Sequence, residues 1–301
     1  MERMCSSSLI PFERMPAAAS NGVSVSFVIR TYNEAEFIGR LFQVLNAQQP
    51  RPAQHEIIVV DSGSTDDTLA IAERWPVKIL RIAKEKFDYS DALNLGISNA
   101  AGQLIVNLSA HAIPIEPTWL STIVSHFSDP QIAGVYCRQR PWPDAPSREV
   151  RRIRSEFGSN PITHVKTLAD QRVPFTNSAG CLRRSLWEKH PFNLPWGEDF
   201  EWATWAVANG YRIVYEPRVS VYHSHNLTCR QAARRLINGE KATDLVLSRR
   251  RTSRLTLRQA AGHACRDLKE LLSLRDAETD RLAKVRECLL RAYWFWRDFR
   301  S

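Results

Sequence analysis

The chain has 301 residues, of which 44% are hydrophobic and 24% are charged, with a formal net charge of +9. This composition is that of a globular protein with room for one large α/β domain and an appendage, or for two small domains. No run approaches the roughly 18 uninterrupted apolar residues of a membrane-spanning helix. The six cysteines are scattered without a C-x-x-C pair, which argues against a zinc site or a disulfide framework and predicts free thiols in a reducing cytoplasm.

In chain order, the first half alternates between short β-branched apolar runs and segments with helical spacing. We predict strands over residues 25–31, 56–60, 77–82 and 103–108, and helices over 34–47, from 65 onward and over 89–101. Four strands separated by three helices are typical of a doubly wound parallel sheet, an α/β fold whose strands are buried on both faces.

The second half is less regular. We predict a helix over 117–127, a strand over 132–138, an irregular loop over 139–172, a short helix after residue 181, a helix over 199–209, and extended segments over 211–215 and 219–225. From residue 227 onward the apolar spacing is helical, with one apolar face per helix.

Charge separates a neutral body from a basic C-terminal part. Residues 226–301 hold 18 Lys and Arg against 9 Asp and Glu, so the whole formal charge of +9 falls there. We therefore predict a main domain over 23–225 and a basic, amphipathic helical extension over 226–301. Residues 1–22, with Ser and Ala clusters, predict a flexible N-terminus rather than a secretory signal.

Polar clusters follow three of the predicted strands, at residues 30–34, 61–67 and 109–111. Parallel sheets bind ligands in the crevice beyond the carboxyl ends of their strands, so these clusters should line one pocket. Asp61, at a strand terminus, can accept hydrogen bonds from a nucleoside base or ribose, and Thr31 and Glu34 on the neighbouring strand end would complete that pocket. The plainer alternative is that Asp61 only opens a turn.

Four segments together resemble a known family. They are residues 26–34 (Ser-Phe-Val-Ile-Arg-Thr-Tyr-Asn-Glu), 56–68 (beginning Glu-Ile-Ile-Val-Val-Asp-Ser-Gly), 92–96 (Ala-Leu-Asn-Leu-Gly) and 196–199 (Trp-Gly-Glu-Asp). The set is similar to that of the family 2 inverting glycosyltransferases, and residues 87–96 resemble a Phe-x-Tyr/His-x-x-Ala-Leu-Asn-x-Gly run of its rhamnosyltransferase-like members in polysaccharide assembly. The resemblance covers residues 24–226 and implies the GT-A fold, a nucleotide-binding sheet flanked by helices and followed by an acceptor-binding half.

The resemblance also implies a reaction and the residues that perform it. A UDP- or dTDP-sugar would donate its sugar to a saccharide or lipid-linked acceptor, with Asp199 as the general base and Glu198 holding its geometry. Two helix-start carboxylates satisfied by the helix dipole are the plainer alternative. Binding of the nucleotide sugar is implied for Thr31, Asn33, Glu34, Asp61, Asn94, Ser109, His111 and Asn177.

The third polar cluster departs from the family pattern. The family usually has Asp-x-Asp there, with a carboxylate that binds the divalent cation bridging the two phosphates, whereas this chain has Ser109-Ala-His111. His111 can be a metal ligand that favours Mn²⁺ over Mg²⁺, can contact the diphosphate directly, or can mark a site that has lost donor binding. His223 and His225, two apart on an extended segment, point to one face. We predict His111 and His223 as metal ligands.

The basic extension allows two interpretations. Arginines at 249–251 and the aromatic run 293–296 suit the anionic cytoplasmic face of the inner membrane, where lipid-linked acceptors lie, so the protein would be cytoplasmic and peripheral to that membrane. Alternatively, the helices pack on the body or on a second subunit of a homodimer. Nucleic acid is not an expected partner, because no recognition helix or aromatic platform accompanies the charge. The alternative function is a non-catalytic sugar-nucleotide-binding or scaffolding subunit of a polysaccharide assembly complex.

Overall fold

The computed structural model of the chain describes residues 23–50, 54–165, 173–247, 289–290 and 293. The N-terminal segment 1–22 and the basic run 249–258 lie outside the described residues, as does nearly all of the extension beyond 247, so the predictions for them stay predictions. Both cysteines whose thiols can be described, Cys137 and Cys181, are buried and free.

Within the described residues the core is one mixed sheet with helices on both faces. The strands are β1 (Ser24–Thr31), β2 (Gln54–Asp61), β3 (Lys78–Arg81), β4 (Leu104–Ser109), β5 (Ile113–Pro114), β6 (Ile132–Arg140), β7 (Ile162–His164), β8 (Ala179–Arg183) and β9 (Arg212–Tyr222). The helices are α1 (Ile38–Asn46), α2 (Thr68–Ala72), α3 (Tyr89–Ser98), α4 (Trp119–Ser125), α5 (Ser147–Glu156), α6 (Arg184–Trp187), α7 (Glu198–Ala208) and α8 (Cys229–Val246). The strand order is β3-β2-β1-β4-β8-β6-β9-β5, and β7 pairs with β9.

The first four sheet positions form the predicted parallel half. β1 lies between β2 and β4 and is parallel to both, with Thr31 opposite Asp61 and Arg30 opposite Ser109. The carboxyl ends of these strands are therefore side by side. The expected convergence of the three polar clusters at one edge of the sheet is confirmed.

Burial of both faces of this half explains its apolar runs. Along β1, Phe27 and Ile29 belong to one buried cluster and Val28 belongs to another. The first cluster includes residues of α1, and the second includes Leu93 of α3 and residues of α7. The predicted α/β sheet flanked by helices is confirmed. Helices α3 and α7 lie on the same face of this sheet, because both contribute residues to the second cluster.

The second half of the sheet was predicted less well, because it is not purely parallel. β8 is antiparallel to both β4 and β6, and no strand was predicted there. The reason is local: β8 begins with Ala179 and Gly180, which have low strand propensity, and tertiary pairing decides its conformation. β9 is one strand rather than the two expected segments, because a register shift against β6 absorbs the irregularity near Pro217.

The irregular loop predicted over 139–172 is wrong in part, since it contains α5 and β7. The buried face of α5 carries Glu149 and Ile153. The helix was not predicted because arginines surround this face and few of its residues are apolar. Arg152 joins Glu149 and Glu156, three and four residues away along the helix. Such pairs support a helix that has few apolar residues.

Helix α8 packs on the body although it lies in the basic extension. It begins with a capping box formed by Thr228 and Gln231, and Ala233, Ile237 and Ala242 on it are buried. The change of charge near residue 226 therefore does not mark the end of the packed structure. None of the described helices is both long and apolar enough to cross a membrane.

Candidate active site

At the β1–β2 end of the site, the two strand-end loops are hydrogen-bonded to each other. Asp61 is 1% exposed, and its Oδ2 accepts from the amides of Gly63 at 3.0 Å and Ser64 at 3.1 Å. Asn33, at a left-handed φ of 53°, accepts from the Thr65 amide at 2.7 Å and donates its own amide to the Ser64 hydroxyl at 2.9 Å. The turn-opening role considered for Asp61 is therefore present, alongside its position at the pocket edge.

Thr31 is the group at this end with spare hydrogen-bonding capacity. Its hydroxyl is buried and has no partner within the described part of the chain, and it lies opposite Asp61 in the sheet register. A buried hydroxyl without a partner costs about 1–3 kcal/mol, so a ligand that bonds to it would recover that energy.

Glu34 has a different partner from the one expected. Its Oε1 lies 2.7 Å from Nδ1 of His111, which stands between β4 and β5. The backbone amide of Glu34 donates to the Thr68 hydroxyl at 2.7 Å, which fixes the start of the β1–α1 loop. The loop thus turns the Glu34 carboxylate toward the histidine, and the expected contact of Glu34 with a nucleoside stays a prediction.

Three histidines converge beside this pair. His111, His223 and His225 each offer a ring nitrogen, and these atoms all lie within 4.8 Å of one another. The rings of His111 and His223 are stacked with centroids 4.9 Å apart, and His225 stands edge-on to both. His223 and His225 lie on one face of the same extended segment, as their spacing predicted. The turn after β4 brings His111 next to them.

The hydrogen bonds of two rings leave their outer nitrogens open. Nδ1 of His111 is held by Glu34, and Nδ1 of His223 lies 2.9 Å from Oε1 of Gln139. These partners assign the proton to Nδ1 in each ring. Nε2 of both rings is buried with no partner among the described residues, and a neutral imidazole anchored in this way is the usual form of a metal-binding histidine.

Burial and nearby positive charge keep two of these rings neutral. The pKa of His223 lies well below its ordinary value, because the ring is buried and stands beside His111 and His225. Burial and then the charge of Arg235 lower the pKa of His225 to about 2. His225, which was not among the predicted metal ligands, therefore joins the cluster as a third imidazole.

The carboxylate pair begins α7 on the same face as α3. Gly197, at a left-handed φ of 79°, turns the chain into the helix, and Glu198 follows it as a buried residue. Asn177 donates its amide to Glu198 Oε1 at 3.2 Å and accepts from Asn107 at 2.9 Å. Asn177 is therefore bonded to the carboxylate pair, from the loop before β8.

The two carboxylates differ in their environment. Burial, and then the negative charge of Asp199, raise the pKa of Glu198 to about 8, and Arg30 and Asn177 act in the opposite direction. Asp199 is half-exposed. Burial therefore favours the protonated form of Glu198, the less accessible member of the pair.

Sequence reasoning missed Arg30. It lies one residue before the end of β1, with its guanidinium carbon 4.7 Å from the centre of the Tyr89 ring. Its Nε is buried and has no partner in the described structure, and its charge acts on both Glu198 and His225. Its place as the first residue of the polar cluster 30–34, directly after an apolar strand run, was the signal available in the sequence.

Two predicted site residues make few or no site contacts. The Asn94 side chain accepts from the indole of Trp187 at 2.9 Å and donates to the Phe192 carbonyl at 2.7 Å, so it ties α3 to the segment before α7. The expected contact of Asn94 with the nucleotide sugar stays a prediction. Ser109 ends β4 two residues before His111, and its amide donates to the Ser178 carbonyl at 3.1 Å.

Comparison with solved structures defines the class. A mannosyltransferase from Pyrobaculum calidifontis, solved with GDP-mannose and Mn²⁺, aligns over 91% of this chain and 87% of its own with a TM-score of 0.59 at 19% identity. Glucosyl-3-phosphoglycerate synthase from Mycobacterium tuberculosis, solved with Mn²⁺, UDP-glucose and phosphoglyceric acid, aligns over 77% and 82% with a TM-score of 0.54 at 17% identity. The fold is the GT-A fold of glycosyltransferases, as the sequence resemblance implied.

Comparison of sequences gives the family. Residues 26–189 match the model of glycosyl transferase family 2. O-antigen chain rhamnosyltransferases WbaN of Salmonella anatum and RfbN of Salmonella typhimurium are each 30% identical to the chain, over 70% and 71% of it respectively and 70% of their own lengths. The chain belongs to glycosyl transferase family 2 and is a glycosyltransferase, and its similarity to rhamnosyltransferase-like members is confirmed.

Proposed function

We propose that the chain is an inverting glycosyltransferase that moves a sugar from a UDP- or dTDP-sugar to a saccharide or lipid-linked acceptor in surface polysaccharide assembly. The observation that carries this proposal is the Glu198–Asp199 pair. It stands at the start of α7, with a buried, hydrogen-bonded first member and a more accessible second member. Inverting transfer needs one accessible carboxylate base, and this pair supplies it.

Asp199 is the general base in this proposal. It removes the proton of the acceptor hydroxyl while that oxygen forms a bond to the anomeric carbon of the donor sugar. The bond from that carbon to the phosphate oxygen breaks at the same time, and its electron pair leaves with the nucleoside diphosphate. Glu198 keeps its proton at neutral pH because its pKa is raised, which leaves the negative charge of the pair on Asp199.

The residues of the histidine cluster fit a divalent cation. The buried, unpartnered Nε2 atoms of His111 and His223 are open donors, and Glu34 and Gln139 orient both rings. Imidazole ligands suit Mn²⁺ better than Mg²⁺, which prefers oxygen. His111, His223 and His225 would hold the cation, and it would offset the charge of the donor diphosphate and of the departing nucleoside diphosphate.

The relatives suggest which donor to test first. Both Salmonella proteins are O-antigen chain rhamnosyltransferases, so an activated rhamnose is the first candidate sugar. Thr31 and Asp61 at the ends of β1 and β2 would face the nucleoside. A thymine or uracil base and its ribose would then bond to the open Thr31 hydroxyl.

A donor screen tests the proposal. The purified chain with Mn²⁺ is incubated with dTDP-rhamnose and a panel of UDP- and dTDP-sugars, with saccharide acceptors, and nucleoside diphosphate release is measured. We expect release from at least one of these donors and a product whose anomeric configuration, read by NMR, is inverted. Retained configuration would refute the inverting mechanism, and release from none of them would refute the donor class.

Replacement of Asp199 tests the assigned base. Asp199→Asn is expected to slow transfer by about 10²–10⁴-fold, the usual contribution of a general base, with little change in nucleotide affinity. Glu201→Gln is the matched control, because Glu201 lies in the same first turn of α7 but pairs with His190. Equal losses in the two variants would contradict the role of Asp199.

Membrane association stays part of the proposal. Because α8 packs on the body, the contact with an anionic membrane would fall to residues beyond 247, among them the arginines at 249–251. Replacing those three arginines with alanine in the full chain is expected to reduce flotation with anionic liposomes, since basic residues near such a surface contribute about 1 kcal/mol each. Unchanged flotation would remove this interpretation.

A further inference from the structure

One strand of the core carries an amide side chain between aliphatic neighbours. Asn107 of β4 is 0% exposed and, two residues after Ile105, lies on the sheet face that packs against α3 and α7. In the sheet register it stands between Val28 of β1 and Gly180 of β8. An aliphatic residue is the usual choice for such a position, because burying an amide costs free energy unless its hydrogen bonds are made.

Only one half of the Asn107 amide is hydrogen-bonded within the described part of the chain. Its Nδ2 donates to Oδ1 of Asn177 at 2.9 Å, whereas its own Oδ1 is buried without a partner. A half-satisfied buried amide is less stable than an aliphatic side chain of similar size, so packing alone does not account for this residue. What Asn107 contributes is therefore the one bond that it makes.

That bond gives a direction to the amide of Asn177. An asparagine amide can be turned by about 180° so that its oxygen and nitrogen exchange places. Because Asn107 donates to the Asn177 oxygen, the Asn177 nitrogen faces Glu198 and donates to its Oε1 at 3.2 Å. All three side chains are at most 5% exposed, so solvent does not compete for these bonds. The result is one chain of donors that begins on β4 and ends at the carboxylate pair.

The backbone around Asn177 is held by other contacts. The Thr176 hydroxyl accepts from the Ser178 amide at 3.2 Å, and the Ser178 carbonyl accepts from the Ser109 amide at 3.1 Å. The Thr176 carbonyl also lies so close to Gly180 that a Cβ would not fit there. Rotation of the Asn177 side-chain amide is then the freedom that remains, and the bond from β4 removes it.

We propose that Asn107 is a positioning residue of the transfer reaction, which holds the Asn177 amide with its nitrogen toward Glu198, beside the general base. This inference deepens the proposed function and rests on it for the role of the carboxylate pair. A donor of fixed direction keeps Glu198 in one place at the start of α7, so that Asp199, the next residue, stays aligned with the acceptor hydroxyl. Asn107 is fully buried and acts only through Asn177.

The ionisation of Glu198 gives a readout that needs no turnover. The glutamate side-chain carboxyls are labelled with ¹³C and titrated by NMR, with Glu198→Gln to assign the signal. We expect Asn107→Leu to raise the pH midpoint of this signal by roughly half a pH unit to one pH unit, because the ionised carboxylate loses a donor of fixed direction. Ile105→Val is the matched control, since it trims the same buried face of β4 and should leave the midpoint in place. Asp199 and Arg30, the charged groups that act on Glu198, are unchanged in every variant.

A double-mutant cycle shows whether Asn107 acts through Asn177. Asn177→Leu should raise the Glu198 midpoint at least as much as Asn107→Leu, and combining the two should cause no further rise. Additive shifts would overturn the inference, as would an unchanged midpoint in Asn107→Leu or a shift equal to that of Ile105→Val. A lower midpoint would also overturn it, because Asn177 would then turn its oxygen toward Glu198. If Asn107→Leu does not fold, Asn107→Ala removes the same donor without adding bulk and takes its place.

Kinetics connect this orientation to transfer. With a donor found in the screen above, Asn107→Leu should lower kcat about tenfold and leave KM for the donor unchanged, because the base is misaligned while the donor still binds. Ile105→Val should keep both constants. A rise in KM without a fall in kcat would contradict a positioning role. If no donor is turned over, the proposed function fails, whereas the NMR titration still decides whether Asn107 orients Asn177.

Discussion

At the β1–β2 end of the site the polar groups of two loops are hydrogen-bonded to one another and only the Thr31 hydroxyl of Thr31, Asn33 and Asp61 is left open, whereas at the β4–β9 end two histidine nitrogens lack a protein partner among the described residues. Asp61 and Asn33 are bonded to the amides of the loop that follows β2. By contrast, Nε2 of His111 and of His223 are buried and open.

This difference indicates two ways of building a binding site. Internal hydrogen bonds fix the β1–β2 end, the proposed nucleoside site, before any ligand arrives, so binding there would cost little reorganisation. Open donors and acceptors at the β4–β9 end, the proposed phosphate site, cost about 1–3 kcal/mol each until a ligand satisfies them. The phosphate end is therefore where binding of a cation and an anion should stabilise the protein most, and substitutions at the two ends test that contrast.

The largest effect is expected for the histidine cluster. His223→Ala removes one of three converging imidazoles and should weaken Mn²⁺ binding by about a hundredfold or more, above the usual effect of losing an outer-sphere partner. Calorimetric titration of EDTA-treated protein with Mn²⁺ and Mg²⁺ measures this. His164→Ala on β7 is the control, since that ring lies outside the cluster. Unchanged Mn²⁺ affinity in the His223 variant would remove the metal-ligand assignment.

A substitution at His111 sharpens the same point. His111→Asp restores the carboxylate that the family usually carries there. It should keep cation binding and shift the preference from Mn²⁺ toward Mg²⁺, because Mg²⁺ favours oxygen ligands. Loss of binding of both cations would mean that the pocket is built for imidazole alone.

Glu198 should make stability depend on pH. Its pKa is about 8 in the folded protein against an ordinary 4.5, so the folded state holds a proton that the unfolded chain has released. The stabilisation is complete below about pH 4.5 and is lost as the pH rises to about 8, by a few kcal/mol in total. Urea unfolding of wild type at pH 5 and pH 8 should show this loss.

A variant at the same position isolates that contribution. Glu198→Gln, which has no proton to lose, should lose less stability than wild type between the two pH values. Glu188→Gln, at an exposed carboxylate that pairs with Arg184, should behave like wild type. A Glu198→Gln variant with the wild-type pH dependence would show that the raised pKa does not exist.

A substitution of Glu34 tests which of two roles this residue has. It either orients His111 in the proposed phosphate site or contacts the nucleoside, as the sequence suggested. Glu34→Gln should weaken Mn²⁺ binding about tenfold to a hundredfold through the loss of orientation of His111, with uridine or thymidine affinity unchanged. Glu36→Gln, two residues away and exposed, is the control. A variant that loses nucleoside affinity but not Mn²⁺ affinity would restore the original expectation of a base or ribose contact.

The parallel half of the sheet could be predicted from sequence because the pattern that marks each of its strands lies within a few consecutive residues. β1, β2 and β4 are short apolar runs buried on both faces, and each is followed by a polar cluster. β8 could not be predicted, because Ala179 and Gly180 adopt strand conformation only through pairing with β4 and β6. Helix α5 was missed because its arginines surround a narrow apolar stripe.

Parts of the site could be predicted for the same reason. The spacing of His223 and His225 and the place of His111 after β4 indicated a histidine cluster. The partners of these rings could not be predicted, since Glu34 and His111 are 77 residues apart and their contact depends on how one loop turns. The influence of Arg235 on His225 depends on how α8 packs, which no local pattern encodes.

The smallest expected effect concerns Asn94, which the resemblance implied for the nucleotide-sugar site and whose side chain is hydrogen-bonded to Trp187 and Phe192. Asn94→Ala removes hydrogen bonds to Trp187 and Phe192 and should lower the free energy of unfolding by about 1–3 kcal/mol. Nucleotide affinity of the folded protein should not change, because the side chain faces the segment before α7. Ser98→Ala, exposed at the end of the same helix, controls for helix propensity. A loss of UDP or dTDP affinity without loss of stability would return Asn94 to the site.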